Sequence, residues 1–128
     1  MTSTPNAAAL AGITVLDVAG PLGNYCGKLF SDLGARVILV EPPEGAPTRH
    51  VEPRVSGRDD LDSSLTFQYQ NTNKESIALD LDSAAGQEVF RKLASQATLV
   101  IESEQPGVMA RRGLGFADLN KINPSLTL

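Results

Sequence analysis

The glycines between residues 20 and 27 have a spacing close to that of a nucleotide-binding turn. Gly20, Gly23 and Gly27 follow one apolar run, and Glu41 ends the next. A nicotinamide dinucleotide motif reads G-x-G-x-x-G at a strand-to-helix turn, with a ribose-binding acid about 20 residues further on. Here the close first glycine pair is missing, and Pro21 has no N–H to donate to a phosphate. The pattern therefore argues against a nicotinamide site, and Glu41 is equally well explained as a strand terminator.

The same turn retains one property of an anion-binding site. It precedes a predicted helix, whose first N–H groups are unpaired and carry a partial positive charge. An anionic ligand at this helix start is one interpretation. The other is that the glycines let the helix pack closely on the sheet. The residues by themselves leave these two interpretations equally open.

Other chemistry is limited by composition. With one cysteine, Cys26, and one histidine, His50, the chain has no internal disulfide framework, and we predict no metal site. The net charge of −4 gives no indication of a nucleic acid or anionic membrane partner. No apolar run approaches the ~20 residues of a membrane span, and no secretory signal is present at the start. We therefore expect a cytoplasmic location.

The elements that must position these residues follow from the apolar pattern. Short apolar runs alternate with amphipathic stretches through short links, which predicts an α/β fold with a Rossmann-like open parallel sheet and flanking helices. We expect residues 1–10 to be a flexible tail and residues 11–128 to form one domain. Strands are predicted at 13–18, 36–40, 76–81 and 98–102, and helices at 24–33, 63–70, 83–95, 106–113 and 116–122. Residues 42–62 are predicted to be a long surface loop, and residues 125–128 to begin a fifth strand.

Two details of this prediction concern the first helix and the end of the chain. Asn24 is predicted to cap the helix, and Cys26, Leu29, Phe30 and Leu33 share one face, which we expect to be core. The chain ends in or just after a strand without a closing helix. This end is typical of a fragment of a longer protein, although a short edge strand that completes the domain is the alternative.

Five segments, taken in order, resemble the N-terminal part of the family III coenzyme A transferases, the CaiB/BaiF family. They are LAGITVLDVAG, GNYCGKLFSDLGARVILVEPP, GAPTR, NTNKESIALDLDSAAGQEVFRKLASQATLVIES and QPGVMARRGLGFADLNKINPSL. The resemblance covers about residues 10–128, and residues 106–124 are its most specific part. The family includes formyl-CoA transferase, carnitine-type CoA transferases and α-methylacyl-CoA racemase.

This resemblance implies a longer protein that is an interlocked homodimer and whose Rossmann-like domain binds coenzyme A (CoA). Residues 11–128 would be the N-terminal part of that domain. The substrates would be an acyl-CoA and a carboxylic acid. In such transferases an aspartate carboxylate attacks the thioester and carries the acyl group as an anhydride. By the family pattern this aspartate lies beyond Leu128, as do the catalytic residues of the racemase branch, so no catalytic residue is predicted in this chain. We therefore expect the isolated chain to be inactive.

The resemblance also implies a set of CoA contacts within the chain. The first loop is one residue shorter than the common family pattern. Four loops and one basic position match CoA-contacting segments: Gly20, Pro21, Leu22, Pro42, Leu79, Asp80, Leu81, Asp82, Ser103, Glu104, Gln105 and Arg111.

Acidic residues replace several basic or aromatic residues of the family pattern. Glu75 stands for an arginine, Asp82 for a lysine, and Ser103-Glu104-Gln105 for asparagine, an aromatic and arginine. Near the phosphates of CoA, such replacements exchange attraction for repulsion. The cations that remain as possible compensation are Arg49, Lys74, Arg111 and Arg112. Three hypotheses result: a CoA-transferase portion, a degenerate non-catalytic domain of that family, and a nicotinamide-binding module, which has the least support.

Overall fold

The computed structural model describes residues 8–18 and 20–128, which form a four-stranded parallel sheet flanked by helices. The strands are β1 (Thr14–Asp17), β2 (Arg36–Glu41), β3 (Glu75–Ala78) and β4 (Leu99–Ile101), in the spatial order β3-β2-β1-β4. In the register, Val15 lies opposite Val37 on one side and Leu99 on the other. The α/β prediction is therefore confirmed. The predicted fifth strand is reduced to one parallel bridge, between Thr127 and Leu99.

The helices occupy the predicted places. They are α1 (Asn24–Asp32), α2 (Leu65–Gln70), α3 (Ala84–Ala94), α4 (Val108–Arg111) and α5 (Phe116–Ile122), with a 3-10 helix at Pro47–His50 inside the long loop. Among the helices of the described ranges, none is long and apolar enough to cross a membrane. β3 is shorter than predicted, so Leu79–Leu81 belong to a loop. The Leu79 amide still donates to the Glu41 carbonyl at 2.8 Å, which keeps this loop beside β2.

Side chains of the strands alternate between two packed faces, because successive residues of a strand point to opposite sides. On one face, Val15 and Val37 pack with Phe30 of α1. On the other, Leu16 packs against Phe90 of α3 and Leu119 of α5. Both faces of the sheet are thus covered, as expected for a parallel sheet.

Most of the tail predicted over residues 1–10 lies outside the described residues. Its last part is packed, since the Leu10 amide donates to the Leu33 carbonyl at 3.0 Å. Ala8 contacts Gly34, which follows the C-terminal end of α1 and has a φ of +99°. A Cβ at position 34 would lie 2.2 Å from the Ala8 Cβ, so both the backbone conformation and the contact require glycine.

Helix α1 differs from the prediction in its cap. Gly23, not Asn24, is the N-cap. Asn24 lies within the first turn, fully buried, and its Nδ2 donates to Thr48 Oγ1 at 3.1 Å. The side chain therefore joins α1 to the 3-10 helix, because the chain brings a buried hydroxyl acceptor to this position.

The predicted buried face of α1 is also wrong for most of its members. Cys26 is exposed, and Leu29 and Leu33 are 46% and 53% exposed. The buried positions within α1 are Asn24, Gly27 and Ser31. α1 approaches the sheet so closely at Gly27 that a Cβ there would lie 2.2 Å from Asp17 Oδ2. Close approach selects small and polar residues for this part of the inner face, and Phe30 is the one predicted core residue of the four that packs against the sheet.

Candidate functional site

A cavity of about 530 Å³ lies at the carboxyl ends of the strands, between the loops that follow them. β1 leads to β2 on one side, whereas β4 lies on the other side of β1. Ligands of open parallel sheets bind where the strand order reverses in this way. Gly20 after β1 and Ser103 after β4 both line the cavity, which therefore lies at the place where this fold binds ligands.

Hydrogen bonds join the two loops at this reversal point. The Gly20 amide donates to Ser103 Oγ at 3.1 Å, and the Val18 amide donates to the Ile101 carbonyl at 2.8 Å. These bonds join the segment after β1 to the segment after β4 and fix the distance between them. That separation sets the width of the cavity at its β1–β4 side.

Ten of the twelve residues predicted to contact CoA line this cavity. They are Gly20, Pro21, Leu22, Pro42, Leu79, Asp80, Leu81, Asp82, Ser103 and Glu104. Gln105 and Arg111 are exposed and do not line it, and Arg112 lines it in their place. The structure thus brings together loops from positions 20 to 112 around one space. The contact of each residue with CoA stays a prediction.

Further lining residues were not predicted as a site. They come from the end of β1 and from β2 with the loop that follows it: Val18, Leu39, Val40, Glu41, Pro43, Glu44, Ala46 and Pro47. Their common signal in the sequence is position, since each lies at or just beyond the end of a predicted strand. Most are apolar and give the cavity a wall suited to a ring or an aliphatic chain.

Glu41 occupies the position of a ribose-binding acid but is already engaged by the protein. Its carboxylate accepts hydrogen bonds from the Ala46 amide at 2.7 Å, from Arg49 Nε at 2.6 Å and Nη2 at 2.8 Å, and from the Ser76 hydroxyl. Burial acts to raise the pKa of the carboxyl, but hydrogen bonds from Arg49, Ser76 and Ala46 outweigh it, and the pKa is lowered. A ribose hydroxyl would have to displace one of these donors, so the nicotinamide hypothesis loses its main supporting residue.

Arg49 holds the long loop against the sheet. Besides Glu41, it donates from Nη1 to Asp62 Oδ1 at 2.7 Å, and its guanidinium lies 3.8 Å from the centre of the Phe67 ring. These contacts fix the start of the loop, where Pro42 and Ala46 form the cavity wall. Because the guanidinium is fully used in this way, Arg49 does not compensate for missing phosphate-binding cations.

Lys74 is likewise engaged in a structural contact. Its Nζ donates to Asp17 Oδ2 at 2.6 Å, to the Asn24 carbonyl at 2.8 Å and to Asn71 Oδ1 at 2.8 Å. Burial lowers the pKa of Lys74, while the hydrogen bond to Asp17 acts in the opposite direction. Since its side chain is 1% exposed and does not line the cavity, Lys74 is not a ligand-binding cation here.

The acidic replacements fall into two groups. Glu75 lies at the amino end of β3, pairs with Arg36 at 2.9 Å and is outside the cavity. Asp82 and Glu104 line the cavity, and both accept hydrogen bonds from Arg112, at 2.7 and 3.1 Å. The hydrogen bond from Arg112 lowers the pKa of Asp82. The two acids that border the cavity are thus paired with a cation that also borders it.

The described lining combines an apolar wall with a polar rim and contains no histidine, cysteine or lysine. Such a surface can bind and orient a ligand that has apolar and hydrogen-bonding parts. The arrangement is therefore suited to ligand binding.

Comparison with known proteins gives consistent matches. A family model described as CoA-transferase family III matches residues 10–128. The succinyl-CoA:(R)-benzylsuccinate CoA-transferase subunit BbsE of Thauera aromatica is 43% identical over 112 residues, which are 88% of this chain and 27% of that protein. The acetyl-CoA:oxalate CoA-transferase of Acetobacter aceti is 38% identical over 117 residues, which are 90% of this chain and 29% of that protein.

A crystal structure of a CaiB/BaiF family protein from Brucella suis has a similar fold, with a TM-score of 0.83 and 37% identity over 92% of this chain. The match covers 32% of that protein's chain. This chain thus spans less than a third of the length of the relatives described here.

Proposed function

The chain belongs to CoA-transferase family III, and from this membership we propose that it is the CoA-binding portion of an acyl-CoA:carboxylate CoA-transferase. The observation that carries the proposal is the cavity at the carboxyl ends of β1–β4, lined by ten of the residues predicted to contact CoA. The apolar wall formed by Leu39, Pro42 and Leu79 suits the adenine ring or the pantetheine arm. The polar rim, which includes Asp80, Ser103 and Arg112, supplies hydrogen-bonding groups.

In the complete enzyme, the covalent step would use residues outside this chain. An aspartate carboxylate attacks the thioester carbonyl, CoA leaves as the thiolate, and the acyl group stays on the carboxylate as a mixed anhydride. The CoA thiolate then attacks the aspartyl carbonyl of this anhydride, which releases the first carboxylate and leaves an aspartyl–CoA thioester. The second carboxylate displaces CoA from this thioester and forms a second mixed anhydride. Attack of CoA on the acyl carbonyl of that anhydride gives the new acyl-CoA and restores the aspartate. The contribution of this chain is to bind and orient CoA. We propose that the enzyme is a cytoplasmic homodimer with an acyl-CoA and a carboxylic acid as substrates; an acyl-CoA racemase of the same family is the alternative.

A second candidate is a non-catalytic domain that keeps the fold but has lost affinity for CoA. Asp82 and Glu104 favour it, because they place carboxylates beside the cavity where a phosphate-bearing ligand would lie. Their pairing with Arg112 reduces this repulsion, which is why the CoA-binding proposal is preferred.

Calorimetric titration of the purified chain with CoA tests the proposal. We expect saturable binding of CoA and none of NAD at the same concentration. Leu22→Asp, which adds an anion to the cavity lining, should weaken the binding of CoA. Leu33→Asp is the matched control, since Leu33 is also an exposed leucine but lies outside the cavity. Absence of CoA binding would favour the non-catalytic domain, and preferential NAD binding would overturn the proposal.

A further inference from the structure

The Arg112 side chain bridges two loops on one side of the cavity. Its Nε donates to Asp82 Oδ1 at 2.7 Å, in the loop between β3 and α3, and its Nη1 donates to Glu104 Oε1 at 3.1 Å, in the loop after β4. The Arg112 side chain is only 18% exposed, whereas that of Asp82 is 75% exposed. We call these three residues the acid–arginine bridge. The bridge holds the guanidinium in one place beside the cavity.

The cavity lining contains more carboxylates than cations, which makes the position of the Arg112 guanidinium important for binding an anionic ligand. Arg112 is the one cationic residue in the lining, as far as residues 8–18 and 20–128 are concerned. Glu41 is neutralised by Arg49. Glu44 and Asp80 add two more carboxylates to the lining. A phosphate group that enters therefore meets an excess of negative charge, and the guanidinium of the described lining already donates to two carboxylates.

We propose that Asp82 and Glu104 are positioning residues that hold Arg112 and set the affinity of the cavity for the phosphate groups of CoA. This inference rests on the function proposed above. A guanidinium has five N–H donors in one plane and binds phosphate in a bidentate geometry, with two parallel hydrogen bonds. Each bidentate edge of the Arg112 guanidinium includes either Nε or Nη1, the nitrogens that donate to Asp82 and Glu104. A phosphate bound at either edge therefore shares one of these nitrogens with a carboxylate or displaces that carboxylate. The two acids thus compete with the ligand phosphate and also repel it.

Four single variants of the 128-residue chain separate these effects. Asp82→Asn and Glu104→Gln each remove one competing carboxylate, and Arg112→Gln removes the cation. Glu75→Gln is the matched control, because it removes the same charge from an arginine–acid pair outside the cavity. Each variant is titrated with CoA and with dephospho-CoA, at low and at high salt.

We expect Asp82→Asn and Glu104→Gln to bind CoA about three- to tenfold more tightly than the wild type, because repulsion and competition both decrease. Arg112→Gln should bind about tenfold more weakly, and Glu75→Gln should stay within about twofold of the wild type. High salt should shrink the gain of the two acid variants, since it screens charge interactions. If the gain is lost with dephospho-CoA, the competing group is the 3′-phosphate. If it persists, the group is the diphosphate.

A purely structural role for the bridge would give a different pattern. The acid variants would then lower the thermal unfolding midpoint and weaken CoA and dephospho-CoA alike, independently of salt. Arg112→Lys is a second variant at this position that keeps the positive charge, in case Arg112→Gln does not fold. It should bind CoA more tightly than Arg112→Gln and less tightly than the wild type. Wild-type binding of CoA with no gain in Asp82→Asn or Glu104→Gln over Glu75→Gln would overturn the inference and leave the proposed function intact. Failure of the wild type and of all variants to bind CoA would overturn both.

Discussion

At the scale of single residues, Glu41 has a structural role, because its carboxylate is bound by other residues of the protein. Its side chain is 4% exposed and lies between the cavity and the long loop. Each carboxylate oxygen accepts two hydrogen bonds, and the ion pair with Arg49 is bidentate. A buried charge that is paired in this way is costly to leave without its partner. Glu41 therefore determines where the loop with Pro42 and Ala46 begins, and through it one wall of the cavity.

Replacing Glu41 by glutamine should lower the free energy of unfolding at pH 7 by about 2–4 kcal/mol, because the largely buried Arg49 guanidinium is then left with the exposed Asp62 as its counter-charge. The pKa of Glu41 is lower in the folded than in the unfolded chain. Its stabilisation is thus complete above the ordinary glutamate pKa of about 4.3 and is lost as the pH falls through the lowered folded value. Urea unfolding as a function of pH measures both effects.

The control for this prediction is Glu75→Gln, in which the lost pair with Arg36 is about 60% exposed on each side. Exposed pairs contribute little to stability, so this variant should unfold close to the wild type at pH 7. Equal losses in Glu41→Gln and Glu75→Gln, or an unchanged acid slope in Glu41→Gln, would contradict the role given to Glu41.

At the scale of elements, α1 presents most of its larger apolar side chains outward, and Phe30 is the one that packs on the sheet. Tyr25, Leu29 and Leu33 are all more than 45% exposed, and the Tyr25 ring stacks on that of Tyr69 from α2, with centroids 6.4 Å apart. The inner side of the helix is occupied by Gly27 over the Asp17–Lys74 pair. A hydrophobic stripe at helical spacing therefore does not identify the buried face when a close polar contact decides how the helix is oriented.

This orientation makes Cys26 accessible in the folded chain. We expect its thiol to react with Ellman's reagent in native buffer about as fast as in urea, because it is exposed. Cys26 is the single cysteine, so the absorbance change reports this position alone. Cys26→Ser should remove the signal and change the free energy of unfolding by less than about 0.5 kcal/mol. If the thiol reacts only after the chain unfolds, Cys26 is buried in the core, as the sequence predicted.

At the scale of the whole molecule, the strand order β3-β2-β1-β4 brings four loops from distant parts of the sequence to one edge of the sheet. This end of the sheet carries the cavity. The chain also spans less than a third of the length of its relatives described above. The function proposed above therefore assigns the covalent chemistry to a part of the enzyme outside this chain.

We predict that the isolated 128-residue chain does not transfer CoA between an acyl-CoA and a carboxylic acid. Incubation of the purified chain with succinyl-CoA or acetyl-CoA and a range of carboxylic acids, followed by chromatography of the CoA esters, measures this. The titration with CoA is the companion measurement, since it shows that the chain is folded and binds. Turnover above the uncatalysed rate would show that the chain contains catalytic groups of its own.

The alternation of apolar runs with amphipathic stretches was sufficient to predict the parallel sheet and the helices, because local periodicity and short links leave few other arrangements. The quoted segments also identified the family and the loops from Gly20 to Glu104 that meet at the cavity. The neutralisation of Glu41 by Arg49, the choice of Arg112 over Arg111 and the outward position of Cys26 depended on contacts between residues far apart in sequence. Burial and ion pairing are properties of the packed chain, and no local pattern specifies which of several charged or apolar neighbours will meet.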